Sequence, residues 1–198
     1  MGSPTTSFQL VELIKKGDRD AFSPLLERYR SRLAVWVFYR MSPELRRWVD
    51  VEDIVQETTL RAFREFDKFT YQGPGSFMRW LARMAEHIII DSARYRGRDK
   101  RHADLVRFRS QSNPQGPEPL DSMTPSRLFG QRERLHRLVQ SLDALPENYR
   151  RAIILAKIEG LTTQELAEKL GKTPESAALL LHRALKSFRE KHDREPSS

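Results

Sequence analysis

The stretch LTTQELAEKLGKTPESAALLLHRAL, residues 161–185, has the pattern of two short helices joined by a tight turn. Thr162 is placed to cap the first helix, and Glu165 three residues later completes a capping box. Gly171 lies where helices commonly end in a left-handed residue, and Thr173 is placed to cap the next helix. The pattern predicts a helix-turn-helix, whose second helix usually enters the DNA major groove. An ordinary helical hairpin that binds nothing is the alternative.

Apolar residues at helical spacing form one stripe on each of these helices. The first stripe consists of Leu166, Ala167 and Leu170, and the second of Ala177, Leu181, Ala184 and Phe188. Both stripes are expected to face a core. Leu179 lies on the opposite side of the second helix, so its side chain is expected at the surface.

The composition narrows the classes of function. The 198 residues carry a formal net charge of +8, a balance typical of proteins with a polyanionic partner such as nucleic acid. The chain has no cysteine, and its five histidines show no metal-ligand spacing, so we expect no metal and no cofactor. Neither a membrane span nor a signal peptide is visible, which favours the cytoplasm. Strand patterns are scarce, and the predicted fold class is all-α.

Helical periodicity divides the chain into two blocks. Between them, the segment SQSNPQGPEP at residues 110–119 is polar and rich in turn-forming residues, which indicates an extended linker. The predicted organisation is a first domain at residues 8–102, a linker at 103–125 and a second, helix-turn-helix domain at 126–192.

A helix predicted at about residues 51–66 has two contrasting faces. One face is apolar and is expected in the core. The other carries Asp53, Gln56, Glu57 and Leu60 at i, i+3, i+4 and i+7, with Arg64 one turn further on at i+11. On a basic protein, an acidic and amide-bearing face is a candidate surface for docking another protein. The alternative is a solvated face whose early acidic residues favour the helix N-terminus.

Aromatic and basic residues are combined in the next part of the first block. A loop at residues 67–75 contains Phe69, and the helix after it contains Phe77 and Trp80 before it becomes strongly basic. The basic run consists of Arg94, Arg96, Arg98, Lys100 and Arg101, with Tyr95 among them. Aromatic rings that stack on unpaired bases, beside cations that follow phosphates, are what single-strand binding requires. Phe77 and Trp80 are core residues in the alternative interpretation.

Several short motifs resemble those of one family. The segments VEDIVQETTLRAF at residues 51–63 and FMRWLARMA at 77–85 resemble the core-binding and promoter-melting segments of sigma-70-type initiation factors. In the second block, LP at 145–146, EGL at 159–161, ELA at 165–167 and HRA at 182–184 resemble region 4 of that family. With room for two domains only, the chain is similar to the small extracytoplasmic-function (ECF) group.

The resemblance implies roles for individual residues and partners. Asp53, Gln56, Glu57 and Leu60 would dock on the β′ clamp helices of core RNA polymerase, and the second domain would sit on the β flap. The residues implied for recognition and melting of the −10 promoter element are Phe69, Trp80, Arg83, His87, Arg94, Arg96 and Arg98. Those implied for the −35 element are Thr173, Ser176, His182, Arg183 and Lys186. Such a protein is not an enzyme, and an anti-sigma factor is a further partner that the group implies.

The sequence departs from the family pattern at two places. His87 stands where the family commonly has Asn, which leaves the preferred flipped base open. Ala178, Leu179 and Leu180 stand where the family often has Lys, Ser and Arg; they cannot make the bidentate contacts of Arg, although they can touch a thymine methyl group.

Two other functions share parts of this sequence pattern with a sigma factor. A sigma-like interaction protein would bind polymerase or an anti-sigma regulator and would read DNA only weakly. A helix-turn-helix regulator that binds DNA unaided is disfavoured by the block at residues 51–101, since it needs no docking helix for polymerase.

Overall fold

The computed structural model describes residues 6–99 and 125–192. These residues form eight α-helices and no strand, which confirms the all-α prediction. The helices are α1 Ser7–Lys15, α2 Phe22–Arg40, α3 Val51–Arg64, α4 Ser76–Asp99, α5 Pro125–Asp143, α6 Glu147–Ile153, α7 Thr163–Leu170 and α8 Pro174–His192. Almost all of the predicted linker lies outside the described residues, as do Lys100 and Arg101. We call residues 6–99 the first unit and residues 125–192 the second unit. No described helix is long and apolar enough to cross a membrane.

The first unit is built around an aromatic core between α2, α3 and α4. The Phe22 ring packs edge-on against Phe66 with the ring centroids 5.4 Å apart, and Phe69 packs edge-on against Phe77 at 5.3 Å. Edge-to-face pairs of this kind add to the stabilisation that area burial provides. The helix predicted at 51–66 ends at Arg64, and Phe66 lies in a short 3₁₀ turn that brings its ring into the core.

The second unit has smaller cores. Leu166, Ala167 and Ala177 form one cluster beneath the helix-turn-helix. A second cluster consists of Leu142, Leu145, Ile153 and Ala184, together with Val35 from α2 of the first unit. Val35 is 2% exposed, so a first-unit side chain completes the core of the second unit.

Polar groups join the two units around Val35. The Tyr39 hydroxyl donates a hydrogen bond to Asp143 Oδ1 at 2.8 Å, and Arg132 Nη2 lies 2.6 Å from Asp50 Oδ2. Arg32 Nη2 donates to the Ile158 carbonyl at 3.2 Å. The units therefore pack directly on one another through α2.

A pair of glycines lies where the backbones of the two units come close together. Gly75 and Gly160 have φ values of +81° and +78°, in the region that favours glycine. A Cβ on Gly75 would lie 2.9 Å from the Gly160 carbonyl oxygen, closer than real contacts allow. The loop before α4 and the turn before α7 thus meet backbone to backbone.

The helix-turn-helix has the local structure that its sequence predicts. Thr162 Oγ1 accepts a hydrogen bond from the Glu165 backbone N–H, and the Glu165 carboxylate accepts one from the Thr162 N–H at 2.7 Å. Gly171 ends α7 in the left-handed conformation with φ +62°. The segment Ile154–Ile158 is a π-helix that the sequence pattern did not indicate. The prediction of two capped helices around a glycine turn is confirmed.

Candidate functional site

The exposed side of α3 carries all four residues of the predicted docking face. Asp53, Gln56, Glu57 and Leu60 are exposed, and we call them the α3 acidic face. The helix begins after Asp50, whose side chain accepts from the Glu52 backbone N–H at 3.0 Å. The opposite side of α3 lies in the first-unit core and consists of Ile54, Val55, Thr58 and Ala62. Among the described residues, no ion pair within 4 Å involves a carboxylate of the α3 acidic face, so its charge is available to a partner.

Phe69 is a core residue, which corrects the expectation that it contacts DNA. Its side chain is 3% exposed, and its ring centroid lies 5.1 Å from that of Trp80 and 5.8 Å from that of Phe66. A ring enclosed in this way cannot stack on a base without leaving the cluster. Phe77 is likewise buried, as its alternative interpretation predicted.

Trp80 lies at the rim of the same aromatic cluster. It is partly buried and packs against Phe69 and Phe77 on its inner side. The cluster therefore holds the indole in place while part of the ring remains accessible.

Basic residues continue along the outer side of α4 from Trp80. Arg83, His87 and Arg94 follow at i+3, i+7 and i+14, and all three are exposed. Arg96 and Arg98 belong to α4, but their side chains lie outside the described part of the chain. We call Trp80, Arg83, His87, Ile90 and Arg94 the α4 outer face.

Ile90 is a member of that face that sequence reasoning missed. Its side chain is 40% exposed, whereas Ile89 is buried. The signal was present in the run of three isoleucines at residues 88–90, because one helix side cannot bury three consecutive residues.

The five residues predicted for the −35 element lie on the exposed surface of α8 and at Thr173 directly before it. Thr173, Ser176, His182, Arg183 and Lys186 are all exposed. The first two also cap the helix: Thr173 Oγ1 accepts from the Ser176 N–H at 3.3 Å, and the Thr173 hydroxyl donates to Ser176 Oγ at 3.1 Å.

The three apolar residues of α8 that depart from the family pattern lie largely at the surface. Leu179 is 50% exposed, which confirms its predicted position. Ala178 is exposed as well, whereas Leu180 is partly buried. The outer side of α8 therefore combines an exposed leucine with basic residues one and two turns further on.

Two side chains, Glu165 in α7 and Tyr39 in α2, have shifted pKa values. Hydrogen bonds from the Thr162 backbone and hydroxyl lower the pKa of the Glu165 carboxyl. Burial, followed by the hydrogen bond to Asp143, raises the pKa of the Tyr39 hydroxyl. The Glu165 carboxylate therefore stabilises the start of α7.

An all-α chain with an exposed acidic helix face, an aromatic and basic helix and a helix-turn-helix has the architecture of a transcription initiation factor. The family model described as "ECF sigma factor" matches residues 5–198. The chain belongs to the ECF sigma factor family, and it acts as a sigma factor in promoter-specific transcription initiation by RNA polymerase.

Curated relatives agree with this assignment. The ECF RNA polymerase sigma-E factors of Salmonella typhimurium (strain LT2) and Escherichia coli (strain K12) are each 30% identical over 167 residues, covering 84% of both chains. The sigma-E factor of Haemophilus influenzae is 29% identical over 170 residues, 85% of each chain. Among solved structures, CnrH in complex with the cytosolic domain of CnrY is 23% identical, with a TM-score of 0.40 over 98% of this chain and 100% of that one.

Proposed function

We propose that the two units divide the work of promoter recognition. The first unit binds core polymerase through the α3 acidic face and the −10 element through the α4 outer face. The second unit sits on the β flap and contacts the −35 element through α8. The observation that carries the proposal is that α3 has two distinct sides. The four residues of the α3 acidic face are exposed, and the opposite side of the helix is buried in the first-unit core.

Docking through α3 is supported by charge and by rigidity. The α3 acidic face is negative on a chain of net charge +8, so it differs from any surface made for DNA. Leu60, which is 39% exposed, supplies apolar area beside the charges. Because the reverse side of α3 is buried, the face is presented without rearrangement, which lowers the entropic cost of binding. We assign the β′ clamp helices as its partner.

Recognition of the −10 element is supported by the order of groups along α4. The rim of Trp80 offers an aromatic surface for an unpaired base, and Arg83 and Arg94 offer positive charge to phosphates on the same side. His87 lies between them and can hydrogen-bond or stack. Phe69 acts indirectly in this proposal, since its ring supports Trp80 from below.

The α3 assignment is tested with the double variant Asp53→Ala plus Gln56→Ala. Loss of a charge and an amide from an interface centre should weaken binding to core polymerase by about tenfold or more. The measurement is the affinity of the full chain for purified core polymerase, with circular dichroism to confirm the fold. Asp67→Ala plus Gln72→Ala removes the same groups from exposed positions elsewhere on the first unit and should bind normally. Equal affinity of the two double variants would remove the docking assignment.

The α8 assignment is tested with Arg183→Ala. Loss of one phosphate contact should lower the slope of log affinity against log salt by about one, whatever the DNA sequence. Lys157→Ala removes an exposed charge from the second unit outside α8 and serves as the control. An unchanged salt slope for Arg183→Ala would argue against a DNA role for this helix.

A second candidate function is supported by one observation, the exposure of Leu179. In this alternative, the chain is a sigma-like interaction protein, and the apolar surface of α8 binds a protein such as an anti-sigma factor while DNA reading is weak. Exposed apolar side chains are frequent in protein interfaces. The experiment described for α8 below separates the two candidates.

A further inference from the structure

We propose that α8 recognises its DNA site through the methyl groups of thymine, with Leu179 as the side chain that determines specificity. This inference rests on the proposed function, in which α8 enters the major groove of the −35 element. It goes further by naming the chemical group on the DNA and the residue that reads it.

The first turn of α8 has few polar groups left for reading bases. Residues at the N-terminus of a recognition helix usually contact base edges. Here the hydroxyls of Thr173 and Ser176 are bonded to each other, and Thr173 Oγ1 also accepts the Ser176 N–H. A base contact by either hydroxyl would have to displace the cap. Glu175 is exposed and acidic, so the nearby phosphates oppose its close approach.

The next exposed positions along the helix are apolar. Leu179 is 50% exposed and points away from Ala177 and Ala184, which are fully buried against the second-unit core. Ala178 beside it is exposed and too small to obstruct a close approach. In the major groove the thymine C5-methyl is the apolar group on the base edges, and it distinguishes an A·T pair from all others. Leu179 is therefore matched to thymine by its chemistry.

The charges around Leu179 fit a duplex. Arg183 and Lys186 follow at i+4 and i+7, on the same side of α8, and Lys172 precedes it at i−7 in the turn; all three are exposed. Among the described residues, none of these cations forms an ion pair within 4 Å. An apolar centre between cations matches a groove whose base edges lie between two phosphate backbones. We therefore assign duplex DNA as the binding partner of this surface.

The experiment replaces thymines by deoxyuridine, which removes only the methyl group. Holoenzyme, made from the full chain and core polymerase, first selects its −35 sequence from a random duplex library. Each thymine of the selected sequence is then replaced singly, and the affinity is measured for the wild type and for Leu179→Ala. In the wild type, one or two replacements should weaken binding by about fourfold, as expected for loss of one buried methyl group. Leu179→Ala should bind the thymine and uracil duplexes equally.

The control variant is Leu13→Ala, which removes a similarly exposed leucine from α1 and should retain the full effect of uracil. If the holoenzyme selects a −35 sequence but no uracil weakens binding, the thymine inference is overturned and the proposed function stands. If no −35 sequence is selected and Arg183→Ala is silent, the proposed function of α8 fails as well. If Leu179→Ala retains the thymine effect but loses self-association or binding of a protein partner, the surface is a protein interface and the inference is again overturned.

Discussion

The two units differ in how they complete their cores. The first unit encloses large side chains of its own, among them Phe22, Phe66 and Phe77. The second unit relies on small clusters that include Ala177 and Ala184, and its larger cluster is completed by Val35 from α2. The first unit takes all its buried core residues from its own helices, although Leu135 and Ile158 of the second unit pack against that core, whereas the second unit takes a buried core residue from its neighbour.

The size of the second unit explains this dependence. A helical unit of the length of residues 125–192 lies below or near the ~70–80 residues at which a single core rarely supplies more than about 3–5 kcal/mol. Val35 and the Tyr39–Asp143 hydrogen bond add contacts that such a unit cannot provide alone. The stability of α8 therefore depends in part on a helix that lies in the other unit.

The largest effect is expected from Phe77→Ala in the first-unit core. Truncation of a phenylalanine that is 1% exposed should cost about 3–5 kcal/mol. Because α2 supports the second unit, both units should lose hydrogen-exchange protection. Leu166→Ala, in the fully buried centre beneath the helix-turn-helix, should lower protection in the second unit only. Retention of full protection in α5–α8 of the Phe77→Ala variant would show that the second unit is independent.

A smaller effect is expected from two valines on one helix. Val35→Ala removes two methyl groups from the second-unit cluster, at about 2 kcal/mol, and should lower exchange protection in α5, α6 and α8. Val37→Ala removes the same atoms from the first-unit core and should act first on α1–α4. Native-state hydrogen exchange of the two variants measures the difference. Identical protection patterns would contradict the assignment of Val35 to the second unit.

The two capping boxes allow a matched test, because the loss of either cap should cost about 1 kcal/mol of stability. Thr6 with Gln9 begins α1, and Thr162 with Glu165 begins α7. Thr162→Ala should lower the midpoint of urea unfolding of the second unit more than Thr6→Ala lowers that of the first. The midpoint shift is the lost free energy divided by the m value, and the smaller unit exposes less surface on unfolding. Equal shifts in the two units would contradict this expectation.

The smallest effect is expected from the pH dependence of the stabilisation that the Thr162–Glu165 capping box gives to α7. Hydrogen bonds from Thr162 lower the pKa of Glu165 below its ordinary value of 4.5. The stabilisation is therefore complete above that pH, and it is lost as the pH falls through the lowered folded-state pKa. Gln9 does not titrate, so the first box is indifferent to acid. Glu165→Gln should reduce the acid sensitivity of α7, measured by amide exchange between pH 5 and 3; unchanged sensitivity would exclude this carboxyl as its source.

Local signals in the sequence predicted the local structure well. The Thr162–Glu165 box, the left-handed Gly171 and the exposure of Leu179 are all confirmed, since each depends on neighbours within about two helical turns. The α3 acidic face was predicted for the same reason, because helical periodicity alone separates it from the core side. Its role in docking, like those of α4 and α8, remains a prediction.

Long-range packing could not be read from the sequence. The burial of Phe69 was not predicted, because it depends on Trp80 and Phe77, which come from another element. The contact between the units was likewise not predicted. The run LAVWV at residues 33–37 held a signal, since a helix that is apolar on all sides must be covered on more than one. Nothing in that run identifies α5 and the π-helix Ile154–Ile158 as the elements that pack on it.

The contact between Gly75 and Gly160 has a consequence for heritable variation. Any single-base missense change in a glycine codon encodes a residue with a Cβ, and at Gly75 that atom would collide with the backbone of the other unit. One genetic step at this position can therefore loosen the two units while the α3 acidic face, the α4 outer face and α8 keep their sequences. Mutation can therefore change how tightly the two units pack without changing the residues of any surface.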